Sequence, residues 1–472
     1  MKKKVILSIM SLTALGLILL LGIHAGKENA PLPAFNIQFS PNAPKDLATD
    51  KVTDTQLVVF AWEEFLALNW KSSYKNSGLR DNPDLNWTFK NANPDLVVWE
   101  TYAHRTELRP YNDSMLPFDV APHYSFGQKL YKASDSTSFT LFNMLDENNE
   151  IGSCDVYAHV NENYKQYRVL YQAKVNRDEY NYILQHYPTK AKLSSARAYT
   201  KKMIDSLKAY YPDVKNSCNC PPDYKGISLP CGKNGGKTGA IEVKTAWRQL
   251  TQEDNPARFF TRTVVYFTGN KGHVVYHNKT YALIGLHIIH KTNNYEDFVF
   301  ATWEHVDVQK DHMGYVPLDS NGNETNQFYK DYQRLHAIPS LVNQSTEYVH
   351  KKLRNMNPQS VWLNYRLVGV QGKPTKDSTS FNFFLANYVV ESDATLGDFN
   401  GSGIGTPFDH LPNTLYKGQF ISMGGCKGCH GVAQIKLGTD FSFLLDNVGK
   451  PVLRPDLDGD SSKLQRLIRA TQ

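Results

Sequence analysis

The chain has 472 residues, a formal net charge of +6 and 12% aromatic residues. This length is sufficient for a large hydrophobic core and predicts two or three domains. The charge is small for the length and includes no long block of one sign, which argues against nucleic-acid binding, and the aromatic content favours β-structure.

The N-terminus has the composition of an export signal. Three lysines at positions 2–4 precede an uncharged apolar run at 5–23, which predicts a signal peptide over residues 1–26. The run is also long enough to cross a bilayer, so an uncleaved anchor in the inner membrane is the alternative. We therefore expect a periplasmic or cell-envelope protein that meets the membrane, if at all, only through this segment. Residues 27–50, rich in Pro, Asn and Ala, are predicted to be a tether.

The predicted body, residues 51–395, begins with a helix. Thr53 and Gln56 have the spacing of a capping box. The apolar residues that follow repeat with the helical period: Leu57, Ala61, Phe65 and Leu68. Glu63 and Glu64 lie next to this stripe. Because adjacent residues on a helix point about a hundred degrees apart, we expect a solvated face rather than an acid–base pair of carboxylates.

Further elements are expected in the first half of the body. Alternation over residues 95–108 predicts a strand. Helical patterns at 167–187 and 192–211 are separated by Pro188, and Pro212 ends the second.

Four cysteines lie in the body: Cys154, Cys218, Cys220 and Cys231. In an oxidising compartment they can form two disulfides with three possible connectivities, although Cys218 and Cys220 are too close in sequence to pair comfortably with each other. We expect a loop closed by disulfides. Metal binding by Cys218, Cys220 and Cys231 is the alternative, although their spacing differs from that of a zinc knuckle.

Residues 257–308 carry the strongest β-pattern of the chain. β-Branched and aromatic runs separated by turn residues predict an antiparallel meander with strands at 259–267, 273–277, 280–290 and 298–308. A strand at 241–247 is expected at a sheet edge. If the faces of neighbouring strands coincide, alternation brings His287, Trp303 and His305 together at one end of the sheet.

The body is expected to end with a helix at 346–356 and strands at 361–370 and 381–390. Residues 396–412, rich in Gly and Pro, predict a linker to a small C-terminal segment, 413–472. The predicted fold class is therefore α+β: a large, mainly antiparallel β-domain with flanking helices, followed by a small α-helical segment.

The C-terminal segment contains the most specific motif in the chain. Cys426, Cys429 and His430 form a C-x-x-C-H sequence. This is the attachment signal for c-type haem, in which both thiols form thioethers and the adjacent histidine binds the iron. A disulfide turn and half of a zinc site are the alternatives, but the chain contains no second C-x-x-C pair to complete a zinc site.

With Phe420 before the motif and Gly431 after it, the segment resembles the start of a class I c-type cytochrome. The resemblance implies one covalent haem c on Cys426 and Cys429, with His430 as the proximal iron ligand. It covers only about the last sixty residues of the chain and rests on this one motif.

The body resembles a different group in a general way. The neighbourhoods at 62–65, 99–101 and 285–287 are similar to those of large exported single-haem proteins of bacteria whose role is unassigned. This resemblance implies no particular activity.

The sequence departs from the cytochrome pattern after the motif. In that family a methionine further along the chain supplies the second axial ligand, but neither Met nor His follows His430 here. The second ligand must therefore come from upstream, or the iron is open. The upstream candidates are His287, His290, His305, Met313, His410 and Met423.

These features predict an exported haem protein that carries out electron transfer with a redox partner protein in the periplasm. Three lysines near the motif are candidates for docking an acidic partner: Lys417, Lys427 and Lys436.

The alternative is a haem-dependent oxidoreductase or peroxidase that binds a small-molecule substrate in the large domain. Its candidate residues are Glu63, His287, Trp303, Glu304 and His305. A haem-based gas or redox sensor is a third class of function, for which the sequence offers no positive indication.

Overall fold

A computed structural model describes residues 35–108, 115–120, 125–126, 129–130, 142–145, 154–159, 167–207, 217–220, 223–270, 273–317, 324–330, 334, 337–387, 389 and 414–445. The chain divides into two compact units, 1–36 and 37–472, and the description below concerns the second. The predicted signal peptide or anchor at 1–26, the predicted linker at 396–412 and His410 lie outside the described residues. Within the described residues, no helix is both long and apolar enough to cross a membrane.

The strands are numbered in chain order over the described residues. They are β1 (Ala103–His104), β2 (Ser125–Phe126), β3 (Lys129–Leu130), β4 (Cys154–Ala158), β5 (Tyr167–Arg168), β6 (Leu170–Val175), β7 (Ile241–Gln249), β8 (Thr261–Asn270), β9 (His273–His290), β10 (Val299–His305), β11 (Gly314–Pro317), β12 (Tyr329–Lys330), β13 (Tyr365–Gln371), β14 (Thr414–Tyr416) and β15 (Gln419–Ile421).

The α-helices are α1 (Asp54–Leu68), α2 (Tyr74–Ser77), α3 (Arg177–His186), α4 (Lys190–Leu207), α5 (Ser340–Met356) and α6 (Gly425–Val432). A π-helical turn, Ala433–Leu437, continues α6. Short 3-10 turns cover Val98–Thr101, Arg105–Glu107, Ser217–Asn219, Pro256–Arg258, Val308–Lys310 and Val361–Asn364.

The main sheet has seven strands, all antiparallel to their neighbours. Six of them follow the order β1–β6–β7–β9–β10–β13, and β8 pairs with the first half of the long strand β9. A smaller sheet has the order β12–β11–β4–β5, and two hairpins, β2–β3 and β14–β15, complete the set. The predicted α+β class with a large antiparallel sheet is confirmed.

The register between β9 and β10 decides which side chains share a face of the main sheet. His287 lies opposite Thr302, and Leu286 lies opposite Trp303. Opposite residues share a face and neighbours along a strand alternate. His287 therefore lies on one face, and Trp303 and His305 lie on the other.

Each face of the sheet is covered by a different helix. Phe65 of α1 stacks on Trp303 at a ring distance of 4.8 Å, and we call this side the α1 face. On the other side, Tyr180 and Ile183 of α3 belong to the same hydrophobic cluster as Phe300, and we call this side the α3 face.

Helix α1 forms as its sequence predicts. Thr53 caps it, and Gln56 completes the capping box. The stripe formed by Leu57, Ala61, Phe65 and Leu68 is fully buried. This part of the fold is encoded locally, because the capping residues and the apolar period lie within one short segment.

Several predicted elements are wrong in whole or in part. Residues 361–364 form a 3-10 turn before β13, and the described residues of the strand expected at 381–390 form no strand. The first part of the helix expected at 167–187 is wrong: it forms β5 and β6 up to Val175, because six consecutive buried residues of β6 pair with β7. The second part is confirmed as α3. The strand expected at 95–108 contains a 3-10 turn instead. There the side chain of Glu100 accepts from Val97 N at 2.8 Å, and Thr101 donates to Val98 O, so local side-chain bonds replace a strand ladder.

The details of the β-meander also differ from expectation. Strand β7 is not at an edge, because β6 and β9 flank it on both sides. The turn expected at residues 278–279 is absent, since β9 runs unbroken from His273 to His290 and pairs with β8 through this stretch.

The cysteine-rich loop is closed by a disulfide between Cys218 and Cys231, and Cys220 takes part in no disulfide. The pairing removes two of the three thiolates that the metal-binding alternative needs, so that alternative is wrong.

Trp303→Ala tests the packing of the α1 face. Trp303 is 0% exposed and contacts both Phe65 and Trp62. We expect the free energy of unfolding, measured by urea denaturation, to fall by about 3–5 kcal/mol. Leu85 is 73% exposed, so Leu85→Ala is the control and should change stability by less than about 0.5 kcal/mol. Equal effects of the two substitutions would contradict this packing.

Candidate functional site

Helix α6 places the three motif residues on one stripe. Cys426, Cys429 and His430 stand at positions i, i+3 and i+4 of this helix. The helix begins in close contact with the body, because Cys426 N donates to Leu385 O at 2.9 Å. A Cβ on Gly425 would lie 2.3 Å from the Leu385 backbone, and its φ of +69° lies in the left-handed region. The glycine before the motif is therefore required by this approach.

The two motif thiols are not oxidised to a disulfide. Cys426 is 2% exposed, Cys429 is partly exposed, and neither is disulfide-bonded. This excludes the disulfide-turn interpretation of the motif within this structure. Both sulfur atoms retain the chemistry required for thioether formation.

His430 is held as a neutral imidazole with a defined tautomer. Its Nδ1 lies 2.5 Å from the carbonyl oxygen of Phe441. Because a carbonyl only accepts, Nδ1 must donate, and Nε2 keeps its lone pair. Burial lowers the pKa of His430 to about 3, and His287 and Lys244 act in the same direction. A donor bond from one ring nitrogen to a backbone carbonyl is the usual support of a metal-binding histidine.

Aromatic rings surround the imidazole. Phe300 of β10 lies 4.9 Å from the His430 ring, and Phe443 lies 5.1 Å from it. Phe300 belongs to the α3 face, so this face of the main sheet carries α6, the motif helix. Aromatic rings beside an imidazole nitrogen that keeps its lone pair fit the chemistry of a porphyrin, which is itself flat and largely apolar.

The loop that holds the Phe441 carbonyl is strained and anchored. Asp440 and Phe441 both have positive φ, 54° and 65°, a conformation that non-glycine residues rarely adopt. The Asp440 carboxylate contacts the buried Lys291 ammonium at 2.5 Å and accepts from Leu229 N at 2.6 Å. These bonds hold the loop in the conformation that presents its carbonyl to His430.

A second anchor lies inside the motif itself. Lys427 is 0% exposed, and its ammonium donates to the carbonyls of Asp297 and Phe298. Its backbone N donates to Gln371 Oε1 at 2.8 Å, and Gln371 Nε2 donates to Gly424 O at 3.0 Å. The expectation that Lys427 docks a partner is therefore wrong, because its side chain is buried.

The other two candidate docking lysines, Lys417 and Lys436, are exposed. They remain candidates for contact with an acidic partner.

His287 is the predicted ligand candidate that the structure brings to the motif. It lies on the α3 face, is 6% exposed, and its Nε2 is 3.5 Å from Cys426 Sγ. The expected meeting of His287 with Trp303 and His305 is wrong, because the β9–β10 register places them on opposite faces. His305 instead stacks on Phe259 at 4.0 Å.

The remaining candidates lie elsewhere. His290 contacts Glu64 Oε1 at 2.8 Å through Nδ1 and Thr238 O at 2.7 Å through Nε2. Glu64 is 1% exposed, so the expectation of a solvated face is wrong for it. Glu63, partly buried, accepts from Gln38 N at 3.0 Å.

The two methionine candidates are both buried. Met313 packs in a separate hydrophobic cluster with Val156 and Tyr315, and this cluster contains no residue of 414–445. Met423, within the C-terminal segment, is 0% exposed.

Sequence reasoning missed a pair of buried acids next to the site. Glu179 of α3 and Glu242 of β7 are 0% and 7% exposed. The two carboxyl groups are within hydrogen-bond reach of each other, so a proton on one can be donated to the other. Burial raises the pKa of Glu242 to about 7 and that of Glu179 well above the ordinary value, so the pair retains a proton near neutral pH. In the sequence, the only indication of a buried acid here is that Glu242 alternates with apolar residues along β7.

Within the described part of the chain, no group of three or more His, Cys, Asp or Glu side chains could hold a metal ion. His273 and His277 stand four apart in sequence, the spacing of a helical zinc pair. They lie on strand β9, where four residues span about 13 Å. A haem iron does not depend on such a cluster, because the porphyrin supplies four of its ligands.

A polar pocket of about 260 Å³ lies beside the β14–β15 hairpin. It shares Asp297 and Phe298 with the anchor of Lys427, and its charged lining includes Asp50, Lys373 and Lys417. The pocket therefore lies next to the motif helix.

No protein-family model, no curated protein and no solved structure matches this chain. The residues and their geometry are therefore the basis for any functional conclusion.

Asp440→Ala tests the anchor of the strained loop. The substitution removes the carboxylate that contacts the buried ammonium of Lys291. We expect the free energy of unfolding to fall by about 3 kcal/mol or more, because a buried charge loses its counter-charge. The matched variant Asp440→Ala/Lys291→Met should recover part of this loss. A double variant no more stable than the single one would exclude the ion pair as the source of the effect.

Glu242→Gln tests the protonated acid pair. Because the folded pKa of about 7 lies above the ordinary value of 4.5 for a glutamate, the folded state retains a proton that the unfolded state releases, and stability falls as pH rises through this range. Glutamine removes that dependence. We expect the free energy of unfolding of Glu242→Gln, measured by urea denaturation relative to the parent, to rise by about 2 kcal/mol between pH 5 and pH 8.

The control for this experiment is Glu253→Gln, which alters an exposed carboxylate. It should follow the pH dependence of the parent. If Glu242→Gln also follows the parent, the acid pair is not protonated in the folded state.

Proposed function

We propose that this chain is an exported c-type haem protein that transfers electrons to or from a redox partner in the periplasm or cell envelope. One haem c is bound covalently by Cys426 and Cys429, and His430 is its proximal ligand. The observation that carries the proposal is the combination on one helical stripe of two thiols outside any disulfide and a neutral imidazole whose Nδ1 donates to Phe441 O.

The residues present fit a haem by their chemistry. Thiols at i and i+3 of a helix supply both attachment points, and Nε2 of His430 supplies the axial nitrogen. When bound, the haem supplies the one-electron redox chemistry of its iron. The chain orients the imidazole through the Phe441 carbonyl and surrounds it with the rings of Phe300 and Phe443.

The anchors on both sides of the stripe favour electron transfer. Lys427 and Gln371 hold the start of α6, and Asp440 holds the loop that contacts His430. A site held by packed, hydrogen-bonded supports changes little in geometry when its charge changes, which suits one-electron transfer. The exposed Lys417 and Lys436 are the surface charges that an acidic partner would meet.

The polar pocket beside the motif supports a second candidate, a haem-dependent oxidoreductase. Its volume of about 260 Å³ is sufficient for a small molecule, and it adjoins residues that hold Lys427. Under this candidate, a small-molecule substrate bound near Asp297 exchanges electrons with the haem.

Covalent haem attachment is the first test. The full chain is produced in a bacterium that carries a c-type cytochrome maturation system, and the exported protein is denatured. We expect one haem per chain to remain with the polypeptide on a denaturing gel and in the pyridine haemochrome spectrum, because thioethers survive denaturation. Cys426→Ser/Cys429→Ser should lose it, and the matched control Cys220→Ser should retain it.

A parent chain that leaves the maturation system without covalent haem would overturn the proposal. The second candidate predicts that the protein oxidises a donor with peroxide. Loss of this activity when Lys373 and Lys417 of the pocket are replaced by Ala, with the haem retained, would favour it over electron transfer.

A further inference from the structure

We infer that His287, on strand β9 of the body, supplies the second axial ligand of the haem iron. This inference rests on the proposed function. It assigns to the body the ligand that the cytochrome pattern supplies after the motif, where neither Met nor His follows His430.

The position of His287 is fixed by the main sheet. It lies between Lys244 of β7 and Thr302 of β10, so strands flank it on both sides. Its side chain is on the α3 face, the face that carries the motif helix, and is 6% exposed. A donor held in the middle of a sheet has little freedom to leave the site, which is the preorganisation that a metal ligand requires.

The distance from His287 to the motif is short. Its Nε2 lies 3.5 Å from Cys426 Sγ. Cys426 is one of the two proposed attachment thiols, so a porphyrin joined to it would lie next to the His287 imidazole. Thioether formation joins the sulfur to a vinyl carbon, and the thiol hydrogen passes to the other vinyl carbon. The sulfur then has no proton to share with the His287 imidazole.

The two imidazoles also lie close to the same part of the sheet. The His430 ring is 4.9 Å from Phe300, which lies on the α3 face with His287. Two histidines and two thiols are therefore gathered at one place between the α3 face and α6.

The other described candidates have different positions. His305 lies on the α1 face and contacts Arg258 O at 3.1 Å. His290 lies on the same face with both ring nitrogens close to other groups. His350 contacts Tyr365 O at 2.8 Å, and Met313 packs in a cluster without residues of the C-terminal segment. Among the described body residues, His287 is the candidate that contacts the motif.

Ligation by two histidines has a functional consequence. It closes the sixth position of the iron, so peroxide or another small ligand has to displace a protein side chain before it can bind. Axial imidazole also gives a lower reduction potential than axial methionine. The closed sixth position favours electron transfer over the peroxidase alternative.

The test compares His287→Ala with His305→Ala in the full, haem-loaded chain. Both histidines are buried, but they lie on opposite faces of the sheet. We expect the parent and His305→Ala to give low-spin, bis-imidazole absorption and electron paramagnetic resonance spectra. His287→Ala should lose the low-spin signal, and added imidazole should restore it. Restoration by a free ligand distinguishes ligation from a structural role.

His287→Met covers the case in which the alanine variant does not accumulate. It keeps a side chain that can bind iron, and it should give a low-spin spectrum with the absorption of a sulfur-ligated haem. A bis-imidazole spectrum in either His287 variant without added imidazole, or a high-spin parent, would overturn the inference.

Haem content is measured in every sample by pyridine haemochrome. Covalent haem with an unchanged spectrum in the His287 variants contradicts only the axial-ligand inference. A parent chain without covalent haem contradicts both the inference and the proposed function.

Discussion

The antiparallel register between β9 and β10 determines which side chains can meet the motif helix. With His287 opposite Thr302, the α3 face presents His287 and Phe300 to α6, and the α1 face receives Trp303 and His305. A slip of one residue would exchange these sets, because side chains alternate between faces with a period of two. The composition of the site is therefore a property of strand pairing in the body as much as of the motif.

The C-terminal segment is built into the body by buried polar contacts. Lys427 reaches the loop between β9 and β10, and Asp440 pairs with Lys291 at the end of β9. Such contacts contribute specificity of position more than stability, because desolvation of the charges offsets much of their attraction. Residues 414–445 therefore lie in the same compact unit as the body. The prediction that 413–472 forms a separate domain stays a prediction.

The features that were predictable from the sequence are the local ones. The capping box at Thr53, the α1 stripe and the C-x-x-C-H motif each lie within a few consecutive residues, where spacing determines structure. The pairing of Glu64 with His290 and the separation of His287 from His305 depend on contacts between distant segments. Strand β6 was assigned as helix because its buried residues have no clear period, and only its neighbours in the sheet decide the conformation.

The burial of Cys426 constrains the order of events during biogenesis. Its side chain is 2% exposed and lies against Leu385 and His287. A maturation enzyme that joins a vinyl group to this sulfur has to reach it directly, which the docked helix prevents. If Cys426 carries the proposed haem, attachment has to precede the docking of α6 on the sheet. Folding of this chain and loading of that cofactor would then be successive steps of one pathway.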